Sequence, residues 1–438
     1  MTITLLGYIV LPLGMILLLL SNDEYLLQMV FWTSGMTGSS VLSFGDTEIQ
    51  PSYYLAFLWM IREFILVIKR REYNIKKYLS SFMTFVVIAV ISTVMPLFLS
   101  GKVTTMNVDG DIEILRWSVS NITQTIYLIF CFAFTTLLCN KINGENYDRY
   151  FKSYIQSLII VYIITLYQIV AYRYDILFDP LFRTGLHIRY TSTLFWDKRL
   201  SGPCLEASML AYYLIAALPI VVRSSNKFVK YGLGFGFLIL GIISVSSTFF
   251  VGIVVWLLLE GICVLVKYKG KVRCKKSTVL GILSAIFIMF LVITITGNLQ
   301  NIMNGISTIV DQFCIKLRRQ NDSGVERSET FYLLLKNFEI SPVIGIGFGS
   351  SRGKDLFSTW LANTGLLGMG AIFVFVATAF KKSYNNQGLQ ISIILIWFCM
   401  CVSVAEPYNL FIWILMSFAL NVDNHRIYME SKNEKSNN

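Results

Sequence analysis

Residues 69–77 read Lys69-Arg70-Arg71-Glu72-Tyr73-Asn74-Ile75-Lys76-Lys77, and residues 82–99 then read Phe82-Met83-Thr84-Phe85-Val86-Val87-Ile88-Ala89-Val90-Ile91-Ser92-Thr93-Val94-Met95-Pro96-Leu97-Phe98-Leu99. A cationic loop thus feeds an uncharged apolar run about 20 residues long, the length a helix needs to cross hydrocarbon. Because lipid offers backbone groups no partners, only helices and closed barrels cross it, and unbroken runs of this length are helical rather than barrel-like.

The same alternation extends in both directions. Apolar runs cover 3–20, 52–69, 78–99, 119–139, 153–171, 206–222, 231–246, 248–266, 277–296, 358–380, 389–404 and 408–422. Basic loops alternate with the others: Lys69 to Lys77, Lys141 to Lys152, Arg223 to Lys230, Lys267 to Lys276, and Lys381-Lys382. Putting every one in the cytoplasm satisfies the positive-inside bias. The reading is an all-α, polytopic bundle of about 12 transmembrane helices, a single integral membrane domain over 1–438 with both termini inside and a cytoplasmic tail at 423–438. The first apolar run lacks a charged leader and a small-residue cleavage site, so it is expected to remain as a span. Residues 21–50 begin apolar and continue Thr33-Ser34-Gly35-Met36-Thr37-Gly38-Ser39-Ser40. They are expected to form a partly embedded outer hairpin, since a further span would carry Asp23-Glu24 to the cytoplasm.

Composition agrees. Of the 438 residues 55% are hydrophobic and only 14% charged, with mean hydropathy +0.62, more apolar surface than a soluble domain hides. The net charge of +11 reflects the basic loops, not a nucleic-acid footprint. Cys131, Cys139, Cys263, Cys399 and Cys401 sit in apolar runs as small hydrophobes. No Cys/His spacing or Asp-rich motif suggests a metal site, and no cofactor is expected.

The outer loops 172–205 and 297–357 are long enough to be functional. Residues 298–317 and the Phe331, Leu334, Leu335, Phe338 stripe carry helical spacing, two amphipathic helices around a polar turn, Arg318 to Ser328. At the mouth of the 206–222 span lies Arg199-Leu200-Ser201-Gly202-Pro203-Cys204-Leu205-Glu206-Ala207-Ser208. Glu206 suits a helix N-terminus as a simple cap. Equally, an arginine can grip phosphate oxygens, and a half-buried carboxylate can take a proton from a sugar hydroxyl. In the large loop, Lys316, Arg318, Arg319, Arg327, Arg352, Lys354 and Asp355 surround Ser341-Pro342-Val343-Ile344-Gly345-Ile346-Gly347-Phe348-Gly349. The glycines lack the Lys-Ser/Thr of a nucleotide loop, so a tight backbone descent toward the next span is the better reading. Arg62-Glu63 lies inside a span, near enough to Lys69 to snorkel. Glu406-Pro407 interrupts the last hairpin on the outer face, and His187 is a lone loop histidine.

These patterns, in this order, resemble the O-antigen polymerase and ligase superfamily of bacterial envelope glycosyltransferases, and within it the polymerase (Wzy-type) members. Arg199 to Ser208 is similar to an Arg-x-x-Gly-x-x-x-Glu stretch of that family, Arg327 through Gly349 to its Arg…Pro-x-x-Gly-x-Gly stretch, and Thr364-Gly365-Leu366-Leu367-Gly368 to its Gly-Leu-Leu-Gly element. The resemblance implies a GT-C-like architecture with a large periplasmic loop, in the bacterial inner membrane. It implies metal-independent joining of undecaprenyl-pyrophosphate-linked oligosaccharide units on the periplasmic face; whether a chain-length regulator protein is also a partner is left open by the sequence. Glu206 and Arg199 would be catalytic; Arg327, Arg318, Arg319, Arg352, Arg189, His187 and Asp355 would bind pyrophosphate or glycan. The ligase branch carries a histidine before Gly-Leu-Leu-Gly and Ser-Arg at the turn near 246–248. This chain has Arg352-Gly353-Lys354-Asp355 and Ser246-Ser247-Thr248 instead. A ligase and a glycolipid flippase are the competing readings; a flippase would show internal repeats, and none is visible.

Overall fold

The computed structural model describes residues 2–20, 23–44, 47–70, 75–101, 103–106, 112–182, 200–267 and 322–437. The 277–296 run and the 298–317 stripe lie outside them. The helices are α1 (Leu5–Leu19), α2 (Asp23–Thr33), α3 (Pro51–Arg70), α4 (Ser80–Ser92), α5 (Met95–Leu99), α6 (Val119–Lys141), α7 (Tyr147–Tyr174), α8 (Asp179–Phe182), α9 (Ala207–Val221), α10 (Gly234–Ile243), α11 (Ser247–Lys267), α12 (Asp322–Ile340), α13 (Leu356–Lys382), α14 (Gln387–Val402) and α15 (Leu410–Asn437). Among the described residues, five helical stretches are long and apolar enough to cross a membrane: 51–69, 77–99, 119–141, 147–174 and 356–382. Shorter apolar helices accompany them. Residues 423–437, most of the expected tail, continue α15 as helix.

The chain forms two compact units, Met1–Gly252 with Thr330–Asn438, and Ile253–Glu329. In the second, the Trp256 indole donates to Glu260 Oε1 at 2.9 Å, one turn along α11. The first holds the core. Phe82 of α4 stacks on Trp413 of α15 (centroids 4.6 Å apart, planes 4° apart) and meets Phe375 of α13 at 4.7 Å. Trp59 of α3 meets Phe134 of α6 edge-on. The opposite faces carry Phe64, Ile68, Phe98, Val119, Ile126 and Phe373, all exposed. Large apolar side chains inside and outside alike suit a bundle whose solvent is lipid, where dispersion and close fit replace the hydrophobic effect between helices.

One end of the first unit is basic. There Lys76 Nζ donates to the Cys139 carbonyl at 2.5 Å and to Asn421 Oδ1 at 3.0 Å, and Lys382 Nζ lies 4.9 Å from the centre of the Tyr78 ring. Asp23 pairs with Arg62 and Lys141, Lys141 also pairs with Glu63, and Glu24 meets Arg149 at 2.7 Å. Arg62 and Glu63 are therefore both part of a charge network at this basic end.

That network corrects the expectation for residues 21–50. Asp23 and Glu24 stand at the basic end, while Thr2–Ile3 (β1) pairs antiparallel with Leu42–Phe44 (β2), and β2 with Thr47–Ile49 (β3), at the opposite end where α3 begins. The segment runs from one end to the other instead of doubling back at one, and the start of the chain lies at the end opposite the basic loops. Orientation bias counts Lys and Arg in loops and gives acids little weight, so Asp23 and Glu24 raise no objection once arginine and lysine neutralise them. The short strands, with a second hairpin pairing Thr104–Met106 (β4) and Ile112–Ile114 (β5), also depart from a purely helical chain. Strands of two or three residues carry no period to read.

Past α2 the backbone is irregular yet buried throughout residues 34–41. Its polar groups are satisfied by protein. Gly38 N–H donates to the Pro203 carbonyl at 2.9 Å, the Thr4 hydroxyl donates to the Ser40 carbonyl at 2.6 Å, and the Gln50 amide to the Thr37 carbonyl at 3.2 Å. Facing it, Ser201 and Gly202 donate their N–H groups to Gln168 Oε1 at 3.1 and 2.6 Å. Gly202 holds φ +58°, and a Cβ there would stand 2.4 Å from Thr165 Oγ1. Irregular backbone at membrane depth requires such enclosure.

Candidate functional site

A second intrusion enters from the end opposite the basic loops. The chain leaves α12 at Ser341 and descends through Pro342 to Ser351 into a break in α13, where Gly365 takes φ +62°. The two backbones then pair. Ile346 N–H donates to the Ala362 carbonyl at 2.8 Å, Gly347 N–H to that of Asn363 at 3.2 Å, and Leu366 N–H to that of Pro342 at 2.8 Å. Gly345 (φ +82°) lies so close that a Cβ would stand 2.4 Å from the Asn363 carbonyl carbon; one on Gly365 would meet Val343 at the same distance. The glycines thus serve backbone approach, as the missing Lys-Ser/Thr suggests. Asn363 bridges the join: its amide donates to the Ser351 carbonyl at 2.8 Å and its Oδ1 accepts from Ser351 N–H at 3.2 Å. From α6, the Asn121 amide donates to the Phe348 carbonyl at 2.7 Å.

This scaffold carries Arg352, whose N–H donates to the Met106 carbonyl of β4 at 3.1 Å. Its guanidinium pairs with Glu406, in the turn between α14 and α15. Both side chains are partly exposed, 37% and 25%, because they border open space. A cavity of about 340 Å³ lies on one side, lined by Thr105, Glu113, Arg116, Ser118, Ser120, Ser350 and Arg352. A second, of about 500 Å³, lies on the other, lined by Glu48, Gln50, Tyr53, Phe57, Gln124, Ile126, Tyr127, Phe130, Tyr408 and Asn409 together with Arg352 and Glu406. The first is hydroxyl-rich and charged. The second has an aromatic wall, with Tyr53 stacked on Phe130 at 5.0 Å and edge-on to Tyr127, which in turn meets Tyr408 at 5.6 Å. The Tyr53 hydroxyl ties the wall to the Tyr408 carbonyl. Phe57 and Ile126 are exposed on the outer helix faces, so the aromatic groove opens sideways from the bundle.

The other expected site residues fare differently. Glu206 is the N-cap residue of α9 rather than part of its first turn, and it is exposed, not half-buried; its Oε2 accepts from the Ser208 hydroxyl at 2.9 Å. It lines neither cavity. Asp355 caps α13: Oδ1 accepts from Ser358 N–H at 2.7 Å and Oδ2 from the Ser358 hydroxyl at 2.6 Å. Arg327 lies inside α12, which begins at Asp322 rather than after a turn reaching Ser328, and is half-buried. Arg199, Arg189, His187, Arg318 and Arg319 lie outside the described residues. The residues the sequence undervalued are Glu406 and the tyrosines. Glu406 was visible as an acid in a short hairpin, but its pairing with Arg352, 54 residues away, has no local signature.

Compared with protein-family models the chain gives no match, and compared with curated proteins it gives none.

Proposed function

We propose that the protein is a glycosyltransferase that polymerises undecaprenyl-pyrophosphate-linked oligosaccharide units, with Arg352 as the anchor for the pyrophosphate. One observation carries the reading: an aromatic groove, a guanidinium and a hydroxyl-rich pocket follow one another in space. A polyprenyl-pyrophosphate sugar has the same order along its length, apolar tail, anion, polyol. The lateral opening lets a tail stay in lipid while the anion meets Arg352, and guanidinium forks match phosphate oxygens bidentately. A preorganised cation beside a departing pyrophosphate lowers the barrier to glycosyl transfer. With the basic loops in the cytoplasm, the site faces the periplasm of a bacterial inner membrane, where lipid-linked sugars are joined without nucleotide.

The experiment supplies purified protein in liposomes with synthetic lipid-linked repeat units, without added metal or nucleotide. A ladder of lengthening glycans is expected. Transfer of a single unit to a core acceptor with no ladder would support a ligase instead. The break in α13 favours one other reading, a flippase, because transporters bind substrate at interrupted helices. A flippase would carry the labelled unit across the liposome unchanged in length.

A further inference from the structure

We infer that Glu406 is both the resting occupant of the anion site and the proton acceptor of the reaction, released from Arg352 when an anionic lipid binds; the inference rests on the reading of Arg352 as pyrophosphate anchor. The pair is not a packed structural bridge. Both side chains retain solvent exposure and border the same cavity, whereas the Arg62–Asp23 pair at the basic end is more enclosed, its side chains keeping only 16% and 17%. Each group is mounted on rigid backbone from a different element. Arg352 is tied to β4 through the Met106 carbonyl, and the Glu406 turn is tied to α9 by the Asn409 amide, which donates to the Tyr212 hydroxyl at 2.6 Å. A guanidinium that holds a carboxylate when empty presents the same donors to a phosphate, which carries more charge and more acceptor oxygens. Binding therefore exchanges one anion for another and leaves Glu406 free beside Arg352, the residue that borders both the aromatic groove and the hydroxyl-rich pocket.

The released carboxylate then has a task. The acceptor sugar hydroxyl gives its proton to a Glu406 oxygen, and the hydroxyl oxygen bonds to the anomeric carbon of the growing chain. The bond from that carbon to the pyrophosphate oxygen breaks, and the electron pair leaves with the lipid pyrophosphate under Arg352. While the site is empty, the ion pair keeps the base masked.

Competition for one guanidinium gives an unusual signature: removing the acid tightens binding while slowing chemistry. The test measures binding of geranylgeranyl pyrophosphate to the full chain in nanodiscs, with geranylgeraniol as the uncharged control, alongside glycan chain growth. Glu406→Gln, close to isosteric, is expected to bind the pyrophosphate 3- to 10-fold more tightly, to bind the alcohol as the parent does, and to lose chain growth on the order of 10²-fold, the lower range for loss of a general base. In Arg352→Gln the pyrophosphate preference is expected to vanish, and adding Glu406→Gln there should restore no affinity, since the coupling runs through the guanidinium. Pyrophosphate binding that Glu406→Gln leaves unchanged or weakens, or chain growth that it leaves intact, overturns the inference while the anchor role of Arg352 stands. A parent protein that binds pyrophosphate and alcohol alike overturns the anchor role and the inference together.

Discussion

Two stretches of irregular backbone enter this bundle, and their surroundings differ. Residues 34–41, facing 201–205, are buried, and protein groups satisfy peptide groups on both sides. Residues 342–352 enter the break of α13 by similar backbone pairing, yet their far end opens on two cavities and carries an arginine. The same device, glycine-permitted approach of two backbones, closes the fold in one place and builds a rigid mount for a charge in the other. A site on well-supported backbone holds its geometry when ligand arrives. The comparison predicts that substitutions in the enclosed stretch act on folding, and those at the open stretch act on chemistry.

The largest effect should come from Gly202→Val. Its positive φ and the 2.4 Å approach to Thr165 leave no room for a branched side chain, and the cost should reach about 3 kcal/mol. Thermal unfolding in detergent should show a large fall, while the remaining folded molecules keep their parental turnover. Selective loss of turnover with an unchanged unfolding midpoint would break the comparison.

A smaller effect is expected from Asp355→Ala, which removes the cap of α13 and costs about 1 kcal/mol. Asp355→Ser should recover most of that stability, and chain growth should follow stability in both variants. A loss of chain growth in Asp355→Ser at parental stability would return Asp355 to the site. The smallest effect is expected from Glu206→Ala. An exposed acid outside both cavities should shift stability by less than about 0.5 kcal/mol and leave the glycan ladder in place, as gel analysis would reveal.

Helices, basic loops and the descent through Gly345 could be read from the chain because each has a local signature: apolar length, clustered charge, and glycine without a nucleotide loop's lysine. The course of residues 21–50 could not. Asp23 gains its partners from α3 and α6, so its neutralisation is a tertiary fact. Glu206 illustrates the reverse failure: a helix N-terminus is legible from Gly-Pro followed by an acid, but exposure is not. Of the charged residues around the glycine loop, sequence alone could not separate Arg352, which borders the cavities, from Asp355, three residues on, which caps a helix. The distinction rests on Glu406 and the tyrosines of α3 and α6, brought together only by the fold.

The central claim is that Arg352 anchors the anion of a lipid-linked sugar. Its most direct test compares the parent chain with Arg352→Ala in liposomes supplied with undecaprenyl-pyrophosphate repeat units, with thermal unfolding measured on the same preparations. A partly exposed ion pair contributes about 1 kcal/mol or less, so the variant should unfold near the parental temperature and yet form glycan ladder at least ~10²-fold more slowly. A folded Arg352→Ala protein that builds the ladder at the parental rate would contradict the account.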